Sequence, residues 1–478
     1  MSKVSGEEEY ELGGLHEVNA DASATSYFMK DGERREIEEV EGRAVVREVN
    51  WKGHDILLYD LDYEKLPMVR YQVAFCLVMF LVFGLNDQTT GSLLPTLTEH
   101  YNISTFTVSN IFLIQLSGYT CASLLNEKVH RMGGVRGAMV IVCMLCIVPL
   151  LVMAMKPSHF YIYMICCFPL GLGLGVMDSA ANVLIGNLTQ NKNEWMGILH
   201  ALYGAAAMIT PPTVSYFVKW GHWNLFFLIP LICCTAGLVL IYPAFKFETT
   251  AKYNYLSTLD GDGNETADTG VDETSLFQIL KNPVVVLYSI YMFLYLGAEI
   301  TTGSWFFTYL LKTKSDNRIG MSYVAASFWS GITLGRLLLG FVTKRLFSTE
   351  YNASNAYSWL SVVFFSLFVA IGLLNYSSIF YFACMFVSMF FGGFFIGPLF
   401  PNASIVALQN LPPKLHISGM GTAVAIGGCG GAGLPYLTGL IIHSCGEEIV
   451  PFMSWSMVVA FTIVWYLYPR FIPALKDN

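Results

Sequence analysis

Charge is what this chain has least of. Asp, Glu, Lys and Arg make up 13% of its 478 residues, against roughly 25% in a typical soluble domain. Much of the acid lies in the first seventy residues and one central loop, so the net charge of −8 describes those segments and not the whole surface. It implies no nucleic-acid partner. The 11 cysteines are scattered through apolar stretches, some as neighbours such as Cys166-Cys167 and Cys233-Cys234. No CxxC pair and no Cys/His ligand spacing occurs, so neither a disulfide framework nor a zinc site is supported. No metal and no cofactor is expected. No cleavable signal peptide is expected either, because Met1 opens a polar stretch. The first apolar span is therefore expected to direct insertion.

What the chain does have is apolar surface, with 54% hydrophobic residues. From Tyr71 onward this is organised into twelve spans of membrane-crossing length. They lie near 71–95, 104–127, 137–155, 160–187, 195–218 and 223–245, then near 284–311, 320–343, 357–374, 379–407, 417–443 and 448–469. Residues 1–66 carry GEEEYELGG and GERREIEEVEG and read as an acidic, mostly disordered tail, with a short helix in the second stretch. The interval 246–283 contains DGDGNETADTGVDET and reads as a flexible linker. DGDGN superficially suggests a calcium loop, but the terminal Glu and the flanking helices that such a loop needs are missing. The expected organisation is a tail over 1–66, bundles of six helices over 67–245 and 284–470 joined by the linker, and a short tail over 471–478.

Basic residues set the orientation. With the amino terminus inside, the short loops and linker on that side hold ten Lys and Arg, among them Lys128, Arg131 and Arg136. The opposite side holds five, including Lys312 and Arg318. Both termini are expected in the cytosol. The sequon at Asn375 would then lie outside, close to the membrane.

The two halves resemble each other. Ser117-Gly118-Tyr119-Thr120 continues to Leu124-Leu125 and Val129, and Ser330-Gly331-Ile332-Thr333 continues to Leu337-Leu338 and Val342 at the same intervals. Each occupies the second span of its half and leads into a basic loop. A repeated six-span unit around a central linker is the layout of the major facilitator fold, two bundles with a site between them. The fold class expected is an all-α membrane protein of twelve transmembrane helices in two six-helix bundles.

Ionisable groups inside the spans are few, and a charge at bilayer depth marks a functional site by default. Asp87 lies in the first span, Asp178 in the fourth and Glu299 in the seventh. By analogy with the fold, spans 1, 4, 7 and 10 line the central cavity, and all three acids fall on that set. A carboxyl group withdrawn from water can hold a proton at neutral pH and release it when its surroundings become wet. That chemistry suits proton coupling by Asp178, Asp87 or Glu299; structural pairing, for instance with Arg336, is the other reading. Asn182, Asn86, Gln88, Thr301 and Thr302 could hydrogen-bond a hydroxylated solute, and Trp305 could stack on a sugar ring, although aromatic packing is the commoner fate of such residues.

His200 in the fifth span is a candidate proton relay, with an interhelical hydrogen bond as the alternative. Arg336 in the eighth span precedes Lys344-Arg345 by about two turns and is expected to lock a gate. Arg131 and Arg136, in the basic loop after the second span, are grouped with it as gating or structural residues. The run Gly427–Pro435 looks like a phosphate cradle but has no preceding strand and no Lys, so a nucleotide loop is excluded. Its small residues instead allow close helix approach.

GLGVMDSAAN, ending at Asn182, resembles the fourth-span motif of the fucose permease family, in which a glutamate is followed four residues later by asparagine. Asp178 stands in the glutamate's place and Asn182 in the asparagine's. LNDQTTGSLLPTLTEHYNIS (Leu85–Ser104) is similar to that family's Asn-Asp first span. GAEITTGSWFFTYLL (Gly297–Leu311) and LGRLLLG (Leu334–Gly340) resemble its seventh and eighth spans. The fungal bypass-of-stop-codon type is the nearest branch in appearance. The resemblance implies proton-coupled uptake of a small neutral solute, typically a hexose, with the first-span aspartate and fourth-span acid essential. Departures are plain. Asp replaces Glu at 178, Glu299 stands where the bacterial pattern has glutamine, and the basic loop reads LLNEKVHRMGGVRG. Measured from Pro95, the position that matches the bacterial aspartate is Gly91, one turn beyond Asp87.

The expected function is secondary active transport, as a proton symporter of a small polar solute such as a sugar. Efflux by proton antiport and a non-transporting membrane sensor are the alternatives. The partners expected are the solute, protons and the lipid bilayer, with the chain a monomer. The plasma membrane is expected before the vacuole.

Overall fold

The computed structural model describes residues 34–36, 46–258, 280–374, 376–411 and 416–472. The chain divides into two compact units, Met1–Tyr59 and Asp60–Asn478. The calcium-loop stretch 260–274, the sequon at Asn375 and the tail beyond 472 lie outside the described residues.

In the first unit the described residues are strands and a turn, which corrects the expectation of disorder over 34–36 and 46–59. Most of the stretch expected to be helical lies outside the described residues. Strands β1 (Arg34–Glu36), β2 (Val46–Trp51) and β3 (His54–Tyr59) form an antiparallel sheet in that order. The β2–β3 turn consists of Lys52 and Gly53, at φ 52° and 78°. Two consecutive positive φ angles make the two-residue hairpin turn whose twist matches the strands. Val49 pairs with Ile56 across the strands, and both are buried. The heavy charge of this region masked the alternation in HDILLY.

The second unit is helical, and its helices begin where local chemistry allows. Pro67 at the first helical position starts α1 (Pro67–Tyr101). The Ser104 side chain caps α2 (Thr105–Ala154), and Asn282 with Pro283 caps α7 (Pro283–Thr313). Between them run α3 (Phe160–Gly186), α4 (Lys192–Lys219), α5 (Leu228–Ala244) and the short α6 (Thr250–Leu256). Then come α8 (Arg318–Leu346), α9 (Glu350–Gly372), α10 (Ile379–Ile396), α11 (Leu399–Asn410), α12 (His416–Cys445) and α13 (Val450–Phe471). Helix α2 holds two spans, bent apart at Gly134, where φ is 65°. The tenth span is broken into α10 and α11 before Pro398, which has no N–H to continue the ladder. Among the described residues, nine helical stretches are long and apolar enough to cross a membrane. The twelve spans read from the sequence all fall on helix, which is consistent with twelve crossings.

The internal repeat is visible as a duplicated crossing. A Cβ on Gly118 of α2 would strike the Phe168 carbonyl oxygen of α3, and one on Gly331 of α8 would strike the Phe390 carbonyl oxygen of α10. The reverse contacts match as well: Gly171 lies against Gln115, and Gly393 against Phe328. In each half these helix pairs therefore pack backbone to backbone, which only glycine permits. The halves meet through α4 with α8, α2 with α12, and α1 with α7.

Two further segments are more ordered than the sequence suggests. Leu61 O accepts from Thr189 N at 3.1 Å, and Asn191 Nδ2 donates to Tyr63 Oη at 2.7 Å, so residues 60–66 are strapped to the loop before α4. The start of the expected flexible linker is also fixed. Arg136 N donates to Glu248 O, Asn254 Nδ2 donates to Arg131 O, and the His130 and Tyr253 rings lie 5.3 Å apart. Gly134 makes room for this docking, since a Cβ there would lie 2.5 Å from the Thr249 carbonyl carbon. Burial pushes the Lys252 ammonium below the ordinary lysine value, and Glu248, 2.7 Å away, partly offsets that.

Candidate transport site

A cavity of about 190 Å³ lies between the halves, walled by α1, α2, α3, α7 and α12. Where α1 and α7 finish, the halves are closed over it. Glu99 and Lys312 form an ion pair at 3.0 Å there, and the Phe106 and His443 rings are 6.4 Å apart. A Cβ on Gly91 would lie 2.6 Å from the Ser304 Cα, so α1 and α7 cross in contact.

Asp87 and Gln88 line this cavity. Asp87 accepts hydrogen bonds from Tyr203 Oη at 2.8 Å and Gln115 Nε2 at 3.2 Å. Gln88 is buried, and its Oε1 has no hydrogen-bond partner. Gly91, the position matched by distance to Pro95, has no room for a side chain, so the first-span acid can stand only at Asp87. Neighbouring Asn86 is buried with its Nδ2 unpartnered, and it does not line the cavity.

Asp178 lies behind the wall. Four residues, or about 6 Å of helix, separate it from Leu174, which does line the cavity. Tyr119 Oη donates to Asp178 Oδ2 at 2.5 Å, and Tyr119 is itself a lining residue. The Asn182 amide donates to the Asp178 backbone oxygen at 2.8 Å and to Oδ1 at 3.0 Å. Asn182 is thus engaged with the acid and does not present its amide to the cavity.

Glu299 makes the pairing that was its alternative reading. It is buried, and Oε1 meets Arg336 Nη2 at 3.0 Å, while Oε2 has no hydrogen-bond partner. Arg336 Nε also donates to Gly397 O at 3.4 Å, tying α8 to the end of α10. The Thr301 and Thr302 hydroxyls are buried and unpartnered, off the cavity wall. Trp305 corrects the stacking expectation. It is fully buried, its Nε1 donates to Pro435 O at 2.9 Å, and it packs against Phe112 and Gly439. The cavity's aromatic faces are instead Phe83, Phe112 and Tyr119.

His200 sets its ring edge-on to Phe80 at 5.5 Å, away from the cavity lining. Arg131 pairs with Glu127 on an exposed helix face, and Arg136 is exposed. Their contribution to the docked linker comes from their backbone groups.

Sequence reading missed Gln115, Tyr119 and Tyr203, the groups that hold the two first-half acids. Gln115 and Tyr119 are four residues apart and so share a helix face, which is a weak signal. A stronger one went unused: Asp87-Gln-Thr-Thr-Gly-Ser92 and Glu299-Ile-Thr-Thr-Gly-Ser304 place an acid ahead of the same four residues in both halves.

The sequence pattern of the Major Facilitator Superfamily matches residues 76–371. The chain belongs to that superfamily. It is 56% identical over 443 residues to Bypass of stop codon protein 6 of Saccharomyces cerevisiae, covering 91% of this chain and 89% of the relative. It is 24% identical over 285 residues to the glucose/mannose transporter GlcP of Bacillus subtilis, covering 59% of this chain and 69% of GlcP. Solved structures share the fold at low identity. A POT family transporter in complex with 5-aminolevulinic acid superposes with a TM-score of 0.63 at 15% identity, over 84% of this chain and 96% of its own. The nucleoside transporter NupG gives 0.62 at 12% identity, over 83% and 99%. Within this superfamily the chain is a multi-pass membrane transporter and not an enzyme.

Proposed function

We propose that this transporter takes up a small polar solute, a hexose before others, together with a proton, by alternating access of its two halves. The observation that carries the reading is the central cavity, lined by the acid Asp87 and by Gln88 with its unpartnered Oε1. An unsatisfied buried acceptor is costly, and a solute hydroxyl entering the cavity would satisfy it. Phe83 and Phe112 supply the apolar faces that a sugar ring uses. At about 190 Å³ the cavity is below the roughly 300–1,000 Å³ of pockets for drug-sized ligands, which favours a small solute. GlcP, named for glucose and mannose, supports the sugar class.

Of the three acids, Asp87 and Asp178 are assigned to the proton. Their partners are neutral Tyr, Gln and Asn groups, which tolerate a change of charge. Glu299 faces a permanent cation and is assigned to holding α7 against α8. In this reading the termini face the cytosol, and the closed end faces outward across the plasma membrane. The cycle binds solute and proton from outside and releases both inside as the halves rock.

The test uses purified protein in vesicles loaded with a pH-sensitive dye, exposed to D-glucose or D-mannose at two pH values. Sugar-driven acidification of the lumen, absent from empty vesicles, is the expected result. Sugar counterflow with no proton movement would refute the coupling. Accumulation of the sugar only against an opposing proton flux would establish the efflux reading instead.

A further inference from the structure

We propose that Tyr119 is the relay through which Asp178 exchanges its proton with the cavity. The inference rests on the assignment of Asp178 as a proton carrier and adds the route. Asp178 has no place in the cavity wall, whereas Tyr119 does, and the Tyr119 hydroxyl donates to Asp178 Oδ2. The other carboxylate oxygen is held by Asn182. The α2–α3 crossing is closed around this spot. Gly171 lies against the Gln115 backbone, and a Cβ on Gly175 would lie 2.7 Å from Ala122 Cβ and 3.2 Å from the Tyr119 ring. Asp178 is itself half-buried, so it is the path from the central cavity, and not all access to the acid, that runs past Tyr119.

The step is a concerted shift. The Tyr119 O–H bond breaks as an O–H bond forms on Asp178 Oδ2, while a cavity water or hydronium gives a proton to the Tyr119 oxygen. Asp178 gains one proton, the cavity loses one, and Tyr119 ends as it began. The reverse sequence discharges the acid. Gln115, one turn earlier on the same face of α2, bonds Asp87. One helix face thus serves both first-half acids, Asp178 with a group that can pass a proton and Asp87 with an amide that positions it.

Infrared difference spectroscopy of the full-length protein in lipid nanodiscs tests this without any solute. The carboxyl absorption of Asp178 is assigned at acidic pH as the band missing from Asp178→Asn. The rate at which it shifts after transfer from water to D2O reports proton exchange at that one group. Tyr119→Phe keeps the ring in place, and exchange is expected to slow by about tenfold or more. Asn126→Ser, which removes a bond to Ser179 at the same crossing, serves as the structural control and leaves the rate unchanged. An unchanged or faster rate in Tyr119→Phe overturns the relay, as does the absence of any Asp178 band at acidic pH. D-glucose-driven proton entry is measured on the same wild-type preparation. Slow exchange in Tyr119→Phe without sugar-driven flux keeps the relay and overturns the sugar-symport reading, so the two failures are distinct.

Discussion

The buried pair Glu299–Arg336 gives the sharpest stability prediction. The Glu299 side chain is 4% exposed and that of Arg336 20%, so the two deletions are not equivalent. Arg336→Met strands a carboxylate that has no route to water, and removing one member of a buried pair costs about 3–5 kcal/mol. Glu299→Gln leaves a guanidinium that is partly hydrated and still reaches Gly397 O, so its cost is nearer the ~1–3 kcal/mol of an unmet hydrogen-bonding group. With both replaced, no buried charge remains, and such swaps are often close to neutral. The double variant is therefore expected to be more stable than Arg336→Met alone, with a coupling of about 2 kcal/mol or more between the sites. Denaturant titration in mixed micelles, followed by tryptophan fluorescence, measures all four corners of the cycle. Additivity within about 0.5 kcal/mol, or a larger loss for Glu299→Gln than for Arg336→Met, would refute the argument.

Other expectations follow from the same geometry. Asp178→Asn should abolish net proton-coupled flux while sparing solute exchange in counterflow; full net uptake by that variant would remove Asp178 from the proton path. Gly91→Val should prevent α1 from meeting α7 at Ser304 and abolish monodisperse expression, so a well-behaved variant would mean the crossing is looser than described. Gln88→Leu should raise the half-saturation concentration for D-glucose by roughly two- to tenfold, the equivalent of one neutral hydrogen bond. An unchanged value would place the solute elsewhere. At the docked linker, burial holds Lys252 below its ordinary value, so between the lowered and the ordinary value the unfolded segment binds more protons than the docked one. Docking of α6 should therefore tighten as the pH rises toward about 10, seen as stronger amide-exchange protection over Thr250–Leu256 once intrinsic rates are corrected.

The large features were legible because bilayer physics is one-dimensional: a span must be apolar and of fixed length, and an acid inside one stands out. Asp87, Asp178 and Glu299 were visible for that reason. The partners of the two aspartates were not, since Gln115, Tyr119 and Tyr203 come from helices whose facing is set by packing, whereas Arg336 was readable as one of the alternatives for Glu299. Trp305 shows the limit on the apolar side, where a cavity-facing and a core-facing tryptophan look alike in sequence. The amino-terminal hairpin was overlooked because charge density spoke for disorder, while only six residues of alternation on either side of Lys52-Gly53 spoke against it. Gly91 was readable as a register problem, but only the backbone of α7 explains why no acid can stand there.

The paired glycine crossings also permit a comparison of the halves, position by position. Asp178 follows Gly171 by seven residues and Asn182 by eleven; the same steps beyond Gly393 reach Phe400 and Ser404. Phe400 packs against Tyr295, and Ser404 shares a hydrogen bond with Tyr288 at 2.7 Å. One copy of the repeat thus holds an ionisable centre where its twin holds an aromatic ring and a hydroxyl. Equal scaffolds make the two end states of such a machine mirror-like in shape, whereas unequal contents give them different energies. Grafting Asp and Asn at 400 and 404 while erasing them at 178 and 182 would ask whether the sense of pumping is written in the scaffold or in which twin carries the acid.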